Sequence, residues 1–367
     1  MKKYVTLGEV CTKGSSNIAQ KDIEQNNGSY GIYGASGYIK DVDFYHQDKP
    51  YIAVVKDGAG IGRTMLLPEK TSVIGTMQYL IPKDNVCVEY LYYAVTYMNL
   101  AKYFSGATIP HIYFKDYQKE KLPLLTIEEQ RKIADNLRKI DRLIELCSGI
   151  LQKLDVLVKS RFVEMFGDPV ENPLQWDTKS LESACHSIVD CPHSTPSYTF
   201  EDTGYMCIRT SIVKKNAILW DKIEYIPKDE YEQRIKRRKP QKGDIIYTRE
   251  GAILGIAAII DRECNVALGQ RSMLLSPDTE ICLPEFISNA MNFDSFFNRV
   301  TEGVSGSASP HINVADIRAF KIMMPPLDLQ QQFAAFVEQT DKSKLAVKQM
   351  LEKAETLKKA LMQEYFG

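Results

Sequence analysis

Two segments of the chain space their apolar residues alternately four and three apart, which is the heptad pattern of a long amphipathic helix. The first begins at Thr126, which has the spacing of a capping box with Glu129. It ends at Phe166, because Gly167 is a natural C-terminal cap and Pro169 stops a helix. At ~1.5 Å per residue this helix is roughly 60 Å long, more than a small domain spans. Its apolar stripe consists of Ile133, Leu137, Ile140, Ile144, Cys147, Leu151, Leu154 and Val158.

The end of the chain repeats this design with a weaker stripe. Asp328 and Gln331 have the spacing of a second helix cap. Two such helices most simply bury their stripes against each other as an antiparallel coiled coil, although each could lie separately on its own domain. The second stripe consists of Phe333, Val337, Thr340, Val347, Leu351, Ala354, Leu361 and Tyr365. Two lysines interrupt it, and the leucine beside each is expected to take over: Lys344 with Leu345, and Lys358 with Leu357.

The segments before each helix are mixed in character. Short β-rich runs such as YIAVV (Tyr51–Val55) and GDIIYT (Gly243–Thr248) alternate with turns and with helical pieces such as VEYLYYAVTYMNL (Val88–Leu100). Each segment therefore indicates an α+β globule. The predicted fold is α+β, with two similar α/β domains separated by two long antiparallel coiled-coil helices in a pseudo-twofold arrangement. The predicted bounds are 1–121 and 169–322 for the domains, and 122–168 and 323–367 for the helical regions.

Five separated markers occur twice in the same order, so each half of the chain is one copy of a repeated unit. Two similar domains provide two similar surfaces, which suits a polymer with a two-part site such as duplex DNA. The marker pairs are LGEVC and LESAC, DGAGIG and EGAILG, TIPHIYFKDY (Thr108–Tyr117) and SPHINVADI (Ser309–Ile317), LPLLTIEEQ and MPPLDLQQQ, and EMFG and EYFG.

Composition limits the possible partners. The net charge of the 367 residues is -1, so any binding of nucleic acid must come from local basic patches. The longest aliphatic run, AILGIAAII (Ala252–Ile260), is too short to span a membrane, and the N-terminus MKKYVTLGEV has no apolar core for export. The 8 cysteines are therefore expected to be reduced thiols of a cytoplasmic protein.

Motifs for catalysis are missing. NPLQ (Asn172–Gln175) lacks the second proline and the aromatic residue of an amino-methyltransferase motif, and the chain has no Glu-x-Lys nuclease triplet or Gly-Lys-Ser/Thr phosphate loop. GAGIG (Gly58–Gly62) is a weak dinucleotide signal, and its echo at Gly251 and Gly255 favours a structural turn. The sequence therefore predicts a protein without catalytic residues and without a cofactor of its own.

Zinc binding is the competing interpretation for one cluster. Its potential ligands have no Cys-x-x-Cys pair and fit no standard zinc-knuckle spacing, so no metal site is expected. The cluster consists of Cys185, His186, Cys191, His193 and Cys207.

Candidate DNA contacts are basic, amide and small hydroxyl side chains near turns, because arginine, lysine, asparagine and glutamine contact bases and hydroxyls contact phosphates. The run RIKRRKPQK (Arg234–Lys242) is the densest basic cluster, although it could equally be a solvated loop. His111 and His311 are expected to hold the junction of domain and helix. The candidates are Lys56, Arg63, Gln78, Lys102, Ser105, Thr108, Arg234, Lys236, Arg237, Arg238, Arg249, Gln270, Arg271, Ser305, Ser307 and Ser309.

The whole layout resembles the specificity subunit of type I restriction-modification systems. The resemblance is carried by the two junctions GATIPHIYFKDYQKEKLPLLTIEEQRKIA and GSASPHINVADIRAFKIMMPPLDLQQQFA, and by FGDP at Phe166–Pro169. Within the second domain it is carried by DCPHSTP (Asp190–Pro196), KGDIIYTREGAILG and LGQRSMLLSP. In the first domain VIGTMQYLIP (Val73–Pro82) is a looser match to the Gly-Gln motif.

This resemblance implies a non-catalytic subunit that selects a bipartite target in double-stranded DNA, one recognition domain for each half. It also implies two methyltransferase subunits as partners, which use S-adenosylmethionine, and, in a system that also restricts DNA, two restriction subunits, which use ATP and Mg²⁺. Two alternatives stay open at this point. The chain could serve a bifunctional nuclease-methyltransferase, or it could be a two-headed adaptor that binds proteins.

Overall fold

The computed structural model describes residues 3–106, 109–302 and 310–367. The chain forms two compact units, each of which takes part of both long helices. Unit 1 consists of Met1–Gly149 and Val347–Gly367, and unit 2 consists of Ile150–Ala346.

Unit 1 is built mainly on antiparallel strands, with helices packed against them. Its main sheet has the strand order β2-β8-β5-β6, a smaller sheet has the order β4-β3-β7, and β1 pairs with β9. The elements are β1 (Tyr4–Thr6), α1 (Leu7–Val10), β2 (Cys11–Ser15), β3 (Tyr30–Gly34), β4 (Gly37–Val42), β5 (Tyr51–Val55), β6 (Thr64–Leu67), β7 (Ser72–Val73), β8 (Met77–Pro82), α2 (Val88–Tyr97), α3 (Phe114–Tyr117), β9 (Lys121–Pro123) and α4 (Ile127–Phe166), the last of which continues into unit 2.

Unit 2 has more elements. Its main sheet has the order β11-β19-β16-β17, a smaller sheet has the order β15-β12-β18, and β10 pairs with β20 and β13 with β14. The elements are β10 (Thr178–Ser180), β11 (Cys185–Asp190), β12 (Met206–Ile208), β13 (Val213–Lys214), β14 (Ala217–Ile218), β15 (Glu224–Tyr225), α5 (Lys228–Arg234), β16 (Ile245–Thr248), β17 (Ala257–Ile259), β18 (Val266–Leu268), β19 (Ser272–Pro277), α6 (Pro284–Met291), α7 (Asp294–Thr301), α8 (Val314–Ala319), β20 (Lys321–Met323) and α9 (Leu327–Phe366), whose last part belongs to unit 1.

The two units have matching sheet topologies. In the main sheets Cys11 pairs with Pro82, and Cys185 pairs with Pro277 at the same place. In the smaller sheets β3 is parallel to β7, as β12 is parallel to β18. The internal repeat and the α+β fold predicted from the sequence are therefore confirmed.

The ends of α4 follow the predicted signals. The Thr126 backbone N–H donates to Glu129 Oε2 at 2.9 Å, and the Glu129 N–H donates back to Thr126 Oγ1 at 3.3 Å. The hydrogen bonds that the Thr126 backbone N–H and hydroxyl donate to the Glu129 carboxylate lower the pKa of Glu129. Gly167 ends the helix with φ +80° and donates to the Val163 carbonyl. The cap predicted at Asp328 is wrong, because α9 already begins at Leu327 and Asp328 lies in its first turn.

Both apolar stripes are confirmed, because each of the predicted positions is buried or half-buried. The leucines beside the interrupting lysines do not take over, since Leu345 and Leu357 are 58% and 50% exposed. The lysines stay in the stripe and pair with aspartates of the opposite helix. In unit 2, Lys344 Nζ lies 2.8 Å from Asp155 Oδ1, and in unit 1, Lys358 Nζ lies 2.5 Å from Asp141 Oδ1.

The helical segments complete the hydrophobic core of each unit. In unit 2, Phe162 and Phe166 of α4 contact Phe333 of α9 and Phe286 of α6, with ring centroids 4.9–5.5 Å apart. All four rings are fully buried. In unit 1 the corresponding cluster combines α2 with the first part of α4 and the last part of α9, and it includes Tyr90, Leu137, Met362 and Phe366.

One buried glutamine holds the start of a long helix in each unit. Gln130 accepts a hydrogen bond from the Cys87 N–H at 2.8 Å and donates to the Leu125 carbonyl at 2.9 Å. Gln330 accepts from the Leu283 N–H at 2.8 Å and donates to the Pro325 carbonyl at 2.9 Å. Cys87 and Leu283 precede α2 and α6, so each glutamine satisfies an unpaired N–H at a helix N-terminus.

Replacing Phe162 by alanine should lower the free energy of unfolding of unit 2 by about 3–5 kcal/mol, because a cavity replaces a fully buried ring. Urea unfolding followed by tryptophan fluorescence measures this, since both tryptophans of the chain, Trp176 and Trp220, lie in unit 2. The matched control is Val163→Ala on the next position of α4, where the side chain is 45% exposed. Equal unfolding midpoints for the two variants would contradict the assignment of Phe162 to the core.

Replacing Gln330 by leucine should also destabilise unit 2, although the two side chains are similar in size. The change leaves the Leu283 N–H and the Pro325 carbonyl unpaired inside the unit, at a cost of about 1–3 kcal/mol for each group. The same fluorescence titration detects it, with the exposed neighbour Gln331→Leu as the control. The role of Gln330 is refuted if both variants unfold at the urea concentration of the unchanged protein.

Candidate nucleic-acid interface

The repeated Pro-His-Ile segment pairs with the turn that follows β5 or β16. In unit 1, the Gly58 N–H donates to the Pro110 carbonyl at 3.0 Å, and the Ile112 N–H donates to the Lys56 carbonyl at 2.9 Å. In unit 2, Gly251 and Ile312 make the same bonds to Pro310 and Arg249, each at 2.9 Å. Lys56 and Arg249 therefore occupy equivalent places, one at the end of each main-sheet strand.

The histidine of this segment also pairs with the turn that follows β5 or β16. His111 forms a β-bridge with Asp57, and its Nδ1 lies 2.7 Å from Asp57 Oδ1. His311 forms the matching bridge with Glu250. Both histidines thus pair with the turn that follows a main-sheet strand, and their predicted role at the junction of domain and helix stays a prediction.

Arg249 is a buried member of an ionic cluster in unit 2. Its side chain is 9% exposed, and its Nε and Nη2 donate to the two carboxylate oxygens of Asp190 at 3.0 and 3.3 Å. His193 Nε2 lies 3.0 Å from the same carboxylate, and Arg237 Nη1 donates to the Asp190 carbonyl at 3.3 Å. Asp190 therefore brings together two of the predicted DNA contacts, although Arg249 itself is enclosed.

Arg234 is also inside unit 2. Its side chain is 2% exposed and pairs with Glu230, and its Nη2 donates to the Ser194 carbonyl at 2.8 Å. In this position the guanidinium supports the loop after β11 and does not face solvent. Gln270 is half-buried and accepts a hydrogen bond from Thr195 of the same loop at 3.1 Å.

Arg271 is exposed at a strained turn before β19. Its φ is +72°, and its side chain is 48% exposed with Nε 3.8 Å from Glu250 Oε1. A Cβ at Gly251 would lie 3.3 Å from Arg271 Nη1, so glycine leaves room for this guanidinium. The Arg271 carbonyl accepts from the Arg249 N–H at 3.1 Å, which places the exposed arginine beside the buried one.

The rest of the basic run divides between exposed and half-buried side chains. Lys236 and Arg237 are exposed. Arg238 is half-buried, and its Nη2 lies 3.4 Å from Asp244 Oδ1. The run is therefore partly a solvated surface and partly an anchored segment.

In unit 1 the predicted contacts are more dispersed. The side chain of Lys56 is 30% exposed, and its Nζ lies 3.7 Å from Asp57. Exposed Arg63 donates to the Ala35 carbonyl at 3.1 Å, in the turn between β3 and β4. Lys102 pairs with Glu120, which leaves its side chain 47% exposed. Ser105 exchanges backbone hydrogen bonds with His111, so it lies on the other side of the Pro-His-Ile bridge from Asp57.

Gln78 lies inside unit 1. It is 2% exposed, and its Oε1 accepts from the Tyr117 hydroxyl at 3.0 Å. The turn residue that matches Arg271 is Thr76, because the Lys56 N–H donates to the Thr76 carbonyl as Arg249 donates to that of Arg271. The sequence match between VIGTMQ and the Gly-Gln motif is therefore out of register, because Gln78 does not occupy the position that Gln270 has in unit 2. Four other predicted contacts lie outside the described residues: Thr108, Ser305, Ser307 and Ser309.

The cysteines of the competing zinc interpretation are dispersed. Cys191 and Cys207 belong to different hydrophobic clusters, and Cys185 packs against a third. Burial raises the pKa of Cys185 and of Cys207 to about 12, so both remain protonated thiols. Within residues 3–106, 109–302 and 310–367, no three acidic, histidine or cysteine side chains are grouped as metal ligands. No helix in those ranges has the length and apolar character for crossing a membrane.

The sequence analysis did not assign Asp190, His193 or Thr195 to the candidate DNA interface. They belong to DCPHSTP (Asp190–Pro196), whose motif was visible, but a motif alone does not tell which members are buried partners and which are exposed. The structure separates them, because Asp190 faces Arg249 whereas His193 and Thr195 are exposed.

The chain is similar to known specificity subunits over most of its length. The Type I restriction enzyme MjaVIII specificity subunit of Methanocaldococcus jannaschii is 24% identical over 332 residues, which are 85% of this chain and 77% of the relative. The MjaIX specificity subunit of the same organism is 25% identical over 289 residues, which are 71% of this chain and 63% of that relative.

Solved structures share the fold. The S subunit of the type I restriction-modification system from M. genitalium superposes with a TM-score of 0.67 at 15% identity, covering 100% of this chain and 96% of the other. A chain from a study of complex assembly and conformational transition in the type I R-M system has a TM-score of 0.52 at 15% identity, covering 99% and 97%. The family model for the type I restriction modification DNA specificity domain matches residues 2–156 and 173–357. The chain therefore belongs to the family of type I restriction-modification DNA specificity domains.

Proposed function

We propose that this chain is the non-catalytic DNA-specificity subunit of a type I restriction-modification enzyme. It recognises a bipartite sequence in double-stranded DNA, with one half-site for each unit. It acts in the cytoplasm and carries no cofactor of its own.

The observation that carries this proposal is the duplicated turn at Lys56 and Arg249. Each follows an internal strand of its main sheet and receives the same backbone bond from the Pro-His-Ile segment. The two main sheets therefore end in equivalent turns. A bipartite DNA target has two half-sites, so each turn can contact one of them.

The chemistry of the edge in unit 2 suits DNA. Arg237 and Arg271 are exposed cations of this unit, and the half-buried Gln270 directly precedes Arg271 in the chain. Exposed guanidinium groups bind phosphates or guanine, and glutamine pairs with adenine through two hydrogen bonds. The chain as a whole has a net charge of only -1, so recognition relies on this local patch rather than on overall charge.

The catalytic steps belong to partners in this proposal. Two methyltransferase subunits, which use S-adenosylmethionine, dock on the chain, and two restriction subunits, which use ATP and Mg²⁺, complete the nuclease. Several apolar side chains on the long helices are exposed, and they are the candidate docking surface because exposed apolar patches mark sites of protein–protein interaction. They are Leu143, Leu146 and Leu357 in unit 1, and Val156, Leu157 and Leu345 in unit 2.

The purified chain alone should transfer no methyl group from S-adenosylmethionine to DNA and should not cut it. Its co-expression with the partner methyltransferase in a methylation-free host should produce a bipartite methylated motif on both strands, which genome-wide methylation sequencing would reveal. Methyl transfer by the isolated chain, or a motif that does not change when this chain is exchanged for a relative, would overturn the proposal.

Two arginines of unit 2 should have different effects on DNA binding. Arg237→Ala should weaken binding to all duplexes similarly and lower the salt dependence by about one released counterion, as expected for a phosphate contact. Arg271→Ala should cost about 1–3 kcal/mol on the cognate half-site and little on random DNA, as expected for a base contact. Salt titrations of the chain bound to its methyltransferase measure both effects, with Lys353→Ala on an exposed face of α9 as the control. Identical salt slopes and identical discrimination in the two arginine variants would refute these roles.

A further inference from the structure

The segment Cys191–Ser197, here named the His193 loop, follows β11 in unit 2 and presents three consecutive exposed side chains. They are His193, Ser194 and Thr195, and the histidine side chain is 63% exposed. Pro192 precedes them and buried Pro196 follows them, and each proline restricts its own backbone φ. The loop is therefore stiff at both ends of its exposed part.

Buried groups hold this loop from beneath. Arg234, with a side chain only 2% exposed, donates from Nη2 to the carbonyl and the hydroxyl of Ser194 at 2.8 and 3.2 Å. Glu230, the ion-pair partner of Arg234, accepts from the Ser197 N–H at 3.0 Å. Cys191 is buried, and its N–H donates to the Ser272 carbonyl at 3.2 Å. A guanidinium is costly to bury, so its use here indicates that the loop conformation matters.

Hydrogen bonds fix the orientation of two of the exposed side chains, His193 and Thr195. His193 Nε2 is held by Asp190 at 3.0 Å, which leaves the Nδ1 edge of the ring available to a ligand. The Thr195 hydroxyl donates to Gln270 Oε1 at 3.1 Å, which fixes the plane of the Gln270 amide. The loop thus adds an imidazole and a hydroxyl to the patch that contains Gln270 and Arg271.

We propose that the His193 loop contacts base edges in the half-site of unit 2, and that His193 and Thr195 are specificity-determining residues. The inference rests on the proposed function. It extends that function to a loop outside the basic run and the turn at Gln270 and Arg271.

The hydrogen-bond donors and acceptors of these side chains determine which bases they can contact. With Oε1 oriented by Thr195, the Gln270 amide can still accept from adenine N6 and donate from Nε2 to adenine N7, since a carbonyl oxygen has two lone pairs. The Thr195 methyl group is suited to the C5-methyl of thymine. His193 offers one ring nitrogen to a neighbouring base. The loop and the turn together are thus expected to favour an A·T pair at one position of the half-site.

The chain contains a closely matched control for His193. His186 lies on β11 in the same unit, its side chain is also 63% exposed, and its Nε2 also pairs with an aspartate, Asp278, at 3.3 Å. A control for Thr195 is Ser183, an exposed hydroxyl that bonds to Ser180 before β11. Both control positions lie outside the His193 loop.

The experiment expresses the chain, its methyltransferase partner and each variant in a methylation-free host, and sequences the methylated sites. His193→Ala and Thr195→Ala should relax base choice within one half-site, with discrimination at the affected base pair reduced on the order of ten-fold. The other half-site should remain as in the unchanged protein. His186→Ala and Ser183→Ala should leave the motif unaltered.

The outcomes separate this inference from the proposed function. If the unchanged protein gives no bipartite motif, the function of the chain as a specificity subunit fails, and this inference fails with it. If the unchanged protein gives such a motif and the His193 and Thr195 variants give the same motif at the same occupancy, only the inference is overturned. Equal relaxation in the loop variants and the control variants would also overturn it, because the effect would then be a general loss of stability.

Discussion

The burial of the two apolar stripes is the constraint on which the rest of the structure depends. Neither unit closes its hydrophobic core with its own sheet and short helices alone. Phe162 of α4 and Phe333 of α9 fill the centre of one core, while Leu137 and Phe366 fill that of the other. Because each long helix contributes to both cores, a change in the stripe affects a domain as well as a helix pair.

The lysines within the stripe show how the pairing is made specific. Lys344 and Lys358 keep their positions in the apolar stripe, and each pairs with an aspartate of the opposite helix. In unit 1 the pair is extended by Tyr93, whose hydroxyl donates to Asp141 at 2.8 Å. Burial and this hydrogen bond both raise the pKa of Tyr93, so the phenol remains a donor. A charged pair within an apolar seam is weak evidence of stability, but a shifted register would leave both charges without partners.

Much of this architecture was visible in the sequence because it depends on local signals. The capping box at Thr126 and the glycine at Gly167 act within one helical turn, and the heptad period needs no knowledge of distant residues. The second cap was misplaced, since Pro326 rather than Asp328 precedes α9. The prediction that neighbouring leucines replace the two lysines in the stripe is wrong for another reason. The sequence of a single helix shows that a lysine interrupts its stripe, but not that an aspartate faces it from a distant segment of the chain.

The candidate DNA contacts were harder to predict for the same reason. Arg234 and Arg237 stand three positions apart in one basic run, yet Arg234 is enclosed between Glu230 and the loop after β11, whereas Arg237 bonds to the Asp190 carbonyl and stays exposed. Charge identifies the region, while the partners that decide exposure come from distant segments of the chain.

The separation of buried from exposed charge also explains how a domain of this kind can change its DNA target without losing its fold. Arg249 bonds to Asp190 and to the Ile312 carbonyl, and Arg234 bonds to Glu230 and to the Ser194 carbonyl. The side chains displayed above them, such as His193 and Thr195, take no part in the hydrophobic clusters. Substitutions at exposed positions of this type usually alter stability by less than ~0.5 kcal/mol, whereas a single base contact is worth about 1–3 kcal/mol. Exposed residues on a rigidly held loop can therefore alter specificity strongly at little cost in stability, and the buried ions that hold the loop are the part that must stay constant.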